Sequence, residues 1–348
     1  MNYAIEELKQ EDFDKWNEFV KENKLTIFHT IEWKKILESS FGFKPIYYIV
    51  KNENNEVVGV APAFICRNFF KKAIVSMPFF EYGGPFVKEG YTESYKTIFN
   101  NYKELVDNGK IDFVKIRSLP LDISYGEIGF KKELEGYDYY MGLVDKEFEK
   151  DFWQGFRRDS NIRKNVRKAI DAGIIIQGKI SDSDFYNLII KKDARLGSPS
   201  FSKKLYRNLN KFLSNNVQYI TCSLRKKFLF SLVSLDFNNV RLLHQIGSDL
   251  KSSKSIRTDI VYVEEIKDSL SKSYLELDFG RSRPNSSTAF FKEKFRCEKR
   301  NLYAYYYPAD FSEDKYGGKE FGQKVIKKLP WLFTRTFLGN WLRKNVGL

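Results

Sequence analysis

Few residues in this chain are of a type and spacing that can do chemistry, and several of them meet on one corner. The stretch YLELDFGRSRPNSSTAFFKEKF, residues 274–295, reads as a buried strand, a polar break and a helix. It carries Asp278, Arg281 and a lysine, Lys292, set between Phe291 and Phe295. Asp278-Phe279-Gly280 spells the magnesium-binding triplet of protein kinases. No glycine-rich phosphate loop or His-Arg-Asp precedes it, and only about 70 residues follow, so that reading fails. His29 and His244 are the only histidines, so a Ser-His-Asp or Cys-His centre would have to use one of them, and no G-x-S-x-G turn is present. No phosphate loop of the G-x-x-x-x-G-K-[ST] kind and no G-x-G-x-x-G turn follows a strand. No cluster of His, Cys, Asp or Glu has metal-ligand spacing, so neither a metal nor a bound cofactor is expected.

One class of reaction needs none of these. When an amine attacks an activated ester or thioester, the substrate supplies the nucleophile. The protein then aligns the pair, takes up the amine proton and donates hydrogen bonds to the developing oxyanion. Backbone N–H groups on a splayed strand can be those donors. A second candidate is the basic run FRRDSNIRKNVRK, which holds Arg157, Arg158, Arg163, Lys164, Arg167 and Lys168 against Asp159. On a helix Arg163/Arg167 and Lys164/Lys168 stack at i,i+4, where like charges repel unless an anion neutralises them. That spacing fits phosphates, of a nucleotide-linked substrate or a tRNA acceptor stem. A solvated surface helix is the alternative.

The elements that position these residues come in a repeated order. A strand at NYAIEEL and helices at EDFDKWNEFVKEN and HTIEWKKILESS, with Thr30 as N-cap, lead to three strands, KPIYYIVKN, EVVGVAPAFIC and KAIVSMPFFEYGG. Helix ESYKTIFNNYKELVDNG, strand IDFVKIRS, a short turn and strand YDYYMGLV complete the first set. A long helix over 146–173 then leads to the same order again: strand IIIQGKI, two helices, strands VQYITCSLR, FLFSLVSLDF and VRLLHQIGS, a helix, SYLELDF, a helix and LYAYYYP. The expected domains are 1–146 and 147–310, with a basic amphipathic tail at 311–348.

Composition agrees with a folded, sheet-rich chain of 348 residues: 42% hydrophobic, with 31 Phe and 21 Tyr. The formal net charge of +14 points to a polyanionic partner, nucleic acid, phosphate-bearing substrate or anionic membrane, or else to lysine-rich solvated faces. Cys66, Cys222 and Cys297 are odd in number and far apart, which fits a reducing cytosol. The acidic N-terminus lacks a signal peptide and no apolar run approaches a membrane span, so a cytoplasmic protein, soluble or peripheral at the inner membrane face, is expected.

Four segments, in order, resemble the FemABX-like group of acyltransferases. FHTIEWKKILESSFGFKPIYYIV (28–50) is similar to the group's F-H-T-x-E-W helix. VVGVAPAFI with VSMPFFEYGGP (75–85) is similar to its S-x-P-F-x-x-Y-G-G-P turn. NIRKNVRKAIDAGI (161–174) resembles its R-K-x-x-R-K-A-x-x-x-G helix, and LDFGRSRPNSSTAFFKEKF resembles F-D-F-G-R-S followed by F-K-x-x-W/F. The resemblance implies an α+β fold of two tandem GNAT-like domains. Each is a mixed twisted sheet flanked by helices, its fourth and fifth strands splayed to admit an acyl donor. It implies that Phe291 and Lys292 border the channel where donor and acceptor meet, Lys292 stabilising negative charge; the alternative has Lys292 facing solvent with its stem on Phe295. Asp278 and Arg281 are weaker catalytic candidates, since such a pair also serves as a strand-end clamp. In the first domain Trp33, Tyr82, Gly83 and Gly84 would meet substrate, or Tyr82-Gly83-Gly84 would form a tight aromatic turn.

One departure bears on the donor. GNAT enzymes that use coenzyme A cradle its pyrophosphate with a glycine-rich loop, whereas the corresponding QIGSDLKSSKSIRTD (245–259) has one glycine. An aminoacyl-tRNA donor therefore fits better than acyl-coenzyme A, with a phosphate-bearing cell-envelope peptide or amino sugar as acceptor. The tail, with Trp341, Arg343 and Lys344 among its apolar and basic residues, suits an anionic membrane surface or packs back on a domain. A non-catalytic RNA- or membrane-binding scaffold is the reading of another class.

Overall fold

The computed structural model describes residues 2–67, 71–121, 123–156, 161–253 and 255–311. Arg157, Arg158 and the tail beyond Phe311 lie outside the described residues. The described chain forms two compact units, one of residues 2–136 and 301–311, the other of 137–300.

The first unit begins with β1 (Tyr3–Glu7), α1 (Phe13–Glu22) and α2 (Ile31–Phe41). Thr30 caps α2 by accepting from the Trp33 N–H at 3.2 Å, and Gly42, at φ +66°, closes it in the left-handed conformation. Strands β2 (Lys44–Pro45), β3 (Tyr48–Asn52), β4 (Val57–Ala61), β5 (Phe64–Arg67), β6 (Lys72–Val75) and β7 (Phe86–Val87) follow, then α3 (Ser94–Asp107), β8 (Phe113–Ser118) and β9 (Lys131–Gly142). EVVGVAPAFIC, expected as one strand, is two. Pro62 has no N–H to give a ladder, so β4 stays in the antiparallel sheet β1-β3-β4-β7 while β5 joins a second sheet with β2, β6 and β8. The core of this unit is aromatic, with Phe99 edge-on to Phe130 at 4.8 Å and to Tyr305 at 5.9 Å.

In the second unit a π-helical turn at Phe148–Trp153 precedes α4 (Ile162–Asp171), so the expected long helix is two segments. Strand β10 (Ile175–Gln177), α5 (Asp182–Leu196), α6 (Lys203–Phe212), β11 (Val217–Leu224), β12 (Lys227–Phe237) and β13 (Val240–Ser248) come next. After these come α7 (Leu250–Ser253), α8 (Asp259–Ser271), β14 (Glu276–Ser282), α9 (Ser287–Lys294) and β15 (Glu298–Tyr307). The sheet runs β10-β11-β12-β13-β14-β9, antiparallel except for β13 against β14.

The last strand of each repeat is not where chain order suggests. Residues 137–142 of β9, expected to close the first repeat, pair with β14 in the second unit. Residues 303–307 of β15 pair antiparallel with β8 in the first. Both strands are runs of tyrosine with the same alternation, so their pattern carries no preference for one partner.

Arg241 anchors the second sheet where β13 meets β14. It is fully buried, and its guanidinium donates to Asp236 on β12 (2.7 and 2.9 Å), to Glu265 (3.3 Å) and to Asp268 on α8, beneath the Tyr274 ring at 4.7 Å. Burial raises the Glu265 carboxyl to about 7 despite the pull of Arg241. Removing one partner of such a cluster leaves buried charge uncompensated. Arg241→Leu is therefore expected to lower unfolding free energy by about 3–5 kcal/mol. Denaturant titration checks this, and a loss under 1 kcal/mol would contradict it.

Candidate active site

The parallel pairing of β13 with β14 covers three residues on each strand, Val240–Leu242 against Glu276–Asp278. Both strands continue, to Ser248 and Ser282, without pairing further with each other. Two bulges set them apart. His244 is the extra residue on β13 opposite Val233 and Ser234. Phe279 is the extra residue on β14 opposite Tyr140 and Tyr139, and Gly280 beside it holds φ +74°, open to glycine without strain. The strand expected over SYLELDF, to Phe279, runs on through Gly280 to Ser282. Past the fork, the side of β13 that faced β14 has no strand partner among the described residues, which leaves an edge of main-chain donors and acceptors. Gly247 lets α5 support that half of β13, because a Cβ there would lie 2.7 Å from Leu188 Cβ and 2.8 Å from Ile189 N.

Charged groups hold the other arm. Asp278 Oδ1 accepts from the Gly280 N–H at 2.6 Å, across the bulge. Arg300 donates to Asp138 (2.7 Å) and to both oxygens of Glu276 (2.7 and 3.2 Å), and lies 3.7 Å from Asp278 Oδ2. Three carboxylates thus share one guanidinium. Burial, and then the charge of Asp138, push the Asp278 carboxyl well above the usual carboxylate range. Lys292 is 9% exposed, and its ammonium donates to the carbonyls of Gly280 (2.6 Å) and Arg281 (3.1 Å), 5.4 Å from the Tyr139 ring. It therefore pins the strand just past the bulge and does not face solvent. Phe291, next on α9, packs on Tyr262 and Phe295 at 4.9 and 5.2 Å. Arg281, partly buried, sits opposite Asp138 in the ladder. Burial, then Lys192, hold His244 low, at about 3, so its imidazole is neutral near pH 7.

Asp278, Arg281, Phe291 and Lys292 thus come together. Trp33, Tyr82, Gly83 and Gly84 come together in the first unit, at its own parallel pair, β6 with β8 over Ala73–Val75 and Phe113–Lys115. There SMPFFEYGGP folds back along the end of β8. The Arg117 N–H donates to Ser76 Oγ at 2.7 Å, the Gly83 N–H donates to Arg117 O at 3.3 Å, and Arg117 Nη1 donates to Phe80 O at 2.7 Å. A Cβ on Gly83 would collide with Met77, and one on Gly84 would lie 2.7 Å from Ser118 Cβ. The close approach these glycines permit is to the unit's own atoms. Trp33 is fully buried, edge-on to Phe28 and Phe80 at 4.7 and 4.8 Å, and Tyr82 is 6% exposed, so both pack the turn. His29 bonds Thr26 Oγ1 (2.9 Å) and Gly84 O (3.1 Å), and burial lowers it to about 4.

The basic residues form a third group. Lys164, Arg167 and Lys168 are exposed on α4, whereas Arg163 Nη1 donates to the carbonyls of Trp153 and Gln154 at 3.1 Å, tying down the preceding turn. With Asn161, Ile162 and Asp171 they line a shallow concavity of about 490 Å³. No group of three or more His, Cys, Asp or Glu that could hold a metal occurs among the described residues, and no described helix is long and apolar enough to cross a membrane. Asp138, Arg300 and the His244 bulge were not legible as site features. Asp138 lies inside a strand that reads as plain tyrosine-rich sheet, and Arg300, expected at the end of the helix before LYAYYYP, lies instead in β15.

No family model and no curated protein sequence matches the chain. Solved structures do. FemX is 12% identical, covering 86% of this chain and 96% of its own, with a TM-score of 0.66. L-PGS from Bacillus licheniformis is 11% identical, covering 93% and 99%, with a TM-score of 0.59. A tandem GNAT protein from the clavulanic acid biosynthesis pathway is 8% identical, covering 88% and 98%, with a TM-score of 0.57. At these identities the likeness is one of fold: an α+β chain with the tandem GNAT architecture, as the motifs implied.

The raised Asp278 carboxyl has a linked effect on stability. Its folded value exceeds its unfolded value near 3.9, so its favourable contribution is present below that pH and is lost as pH rises. Asp278→Asn keeps the acceptor for Gly280 and removes the titration. It is expected to lose less stability than wild type between pH 5 and 8 in denaturant titrations; an equal or steeper loss would contradict the assignment.

Proposed function

We propose that the chain is an N-acyltransferase whose acyl donor enters the fork between β13 and β14. The observation that carries this is the three-residue pairing followed by a bulge on each strand, which frees one main-chain edge of β13. In the proposed reaction an acceptor amine attacks the acyl carbonyl carbon. N–H groups of that edge hold the oxyanion. The carbon–oxygen bond of the ester then breaks, and the departing hydroxyl leaves with the proton the amine gives up. No side-chain nucleophile is required. Lys292 is a positioning residue: its bonds to Gly280 and Arg281 set the second arm at its distance from the first.

Aminoacyl-tRNA is the favoured donor. The +14 charge suits it, and the connection after β13 has a short helix, α7, where a glycine-rich pyrophosphate cradle would lie. Acyl-coenzyme A is the alternative. The proposed acceptor is an amine of a phosphate-bearing cell-envelope peptide or amino sugar, at the cytoplasmic face of the membrane; the fold shared with FemX and L-PGS supports this reading.

Mass spectrometry of acceptors incubated with charged tRNA and with acetyl-coenzyme A in turn checks it. An acyl mass added to the precursor only with charged tRNA is expected; transfer only from coenzyme A selects the alternative donor, and no transfer from either rejects the proposal. Lys292→Met should reduce turnover by on the order of 10²-fold through misplacement of the arm, and unchanged turnover would reject its role.

A further inference from the structure

Three neighbouring elements of the second unit build a corner that combines exposed isoleucine with exposed cations. Helix α4 ends tightly: the Gly173 N–H donates to Ile170 O at 2.9 Å, the Ile174 N–H donates to Ala169 O at 3.2 Å, and Gly173 holds φ +78°. Strand β10 begins at once. It is the end strand of the sheet among the described residues. Ile170, Ile175 and Ile176 are 57%, 58% and 42% exposed. Isoleucine is among the residues most often buried, yet three within seven positions are open to water here; Ile175 and Ile176, consecutive on β10, stand on opposite faces of this end strand, so apolar surface borders it on both sides.

Cations flank the patch from two sides. Lys164, Arg167 and Lys168 are exposed on α4 just before it, and Asp171 is the only acid within residues 161–179. The second side is the β11–β12 turn. Ile175 pairs with Ser223, so continuing that register sets Arg225 level with Gly173, at the joint between α4 and β10. Arg225, Lys226 and Lys227 are all exposed there.

The turn itself is informative. Leu224 pairs with Lys227, leaving Arg225 and Lys226 as a two-residue loop with φ of +49° and +61°. Such loops favour Asn or Gly, because a long L side chain is strained at positive φ. The next hairpin uses the favoured type, Asn238-Asn239 at +50° and +60°. Two long cations at the first turn are an unfavourable backbone choice that displays charge beside the isoleucines.

We infer that this corner docks on an anionic membrane surface, the isoleucines entering the interface and the lysines and arginines meeting lipid phosphates. An RNA partner would use the cations but not the isoleucines, since single strands stack on aromatic side chains and residues 161–179 contain none. Apolar residues ringed by Lys and Arg are the composition that lies in an interface. The surface is distinct from the tail, and the inference does not depend on the proposed transfer reaction.

Vesicle sedimentation of the full chain tests it, with phosphatidylcholine alone or mixed with phosphatidylglycerol. Wild type should sediment with the mixed vesicles only. Arg225→Asn with Lys226→Gly installs a favoured turn, so its Tm should hold or rise while vesicle affinity falls roughly tenfold. Ile175→Ser with Ile176→Ser should weaken binding by a similar factor, roughly tenfold. Wild-type affinity in the turn variant, equal binding to neutral vesicles, or binding of uncharged tRNA without binding of vesicles would each overturn the assignment.

Discussion

A buried guanidinium fixes where the second sheet opens. Arg241 lies on the short stretch where β13 and β14 still pair, and its donors reach β12 and α8 together. Strands that must separate after three residues need a root that does not. An apolar root could slide by two residues and keep its face, whereas an arginine with three carboxylates has one register that satisfies it. Everything beyond, the two bulges, the support of α5 under Gly247 and the grip of Lys292 on the redirected arm, takes its position from that root.

The two units treat the same topology differently. Each has one parallel pair from which its strands go separate ways. In the first, the chain spends the space on itself: Ser76, Phe80 and Gly83 bond along β8, and Trp33, Tyr82 and the two glycines close the packing. In the second, β13 past the fork has no strand partner on that side among the described residues, and the opposite arm is held by Lys292 and Arg300. The chemistry of a fork follows from whether its own loop fills it. Motif likeness alone treats both alike.

Much of the architecture was readable before any coordinates. The repeated order of elements, the capping of α2 by Thr30 and Gly42, and the helix carrying Phe291 and Lys292 follow from periodicity and local chemistry, and the motifs implied the tandem fold. What could not be read depends on partners distant in sequence. Lys292 could be placed on its helix, beside the expected channel or facing solvent, but its bonds to the carbonyls of Gly280 and Arg281 could not be read. Asp138 looks like a solvated residue between tyrosines until Arg300 meets it 162 positions later. Trp33 sits in a matching motif, and its full burial against Phe28 and Phe80 could not be read from that motif. The strand partners of 137–142 and 303–307 were equally hidden, because two tyrosine ladders of the same period are interchangeable to any local rule.

That last pairing has a consequence for synthesis on the ribosome. Strand β8, paired with β6 on one side, obtains its neighbour on the other only when residues 303–307 arrive, almost 190 positions after it is made. Until then the nascent first unit carries an open strand edge of the kind that recruits other chains. Its sheet closes late, when translation is nearly finished. Expressing the amino-terminal half alone would yield a chain permanently in that unfinished state, whatever the merits of its own core.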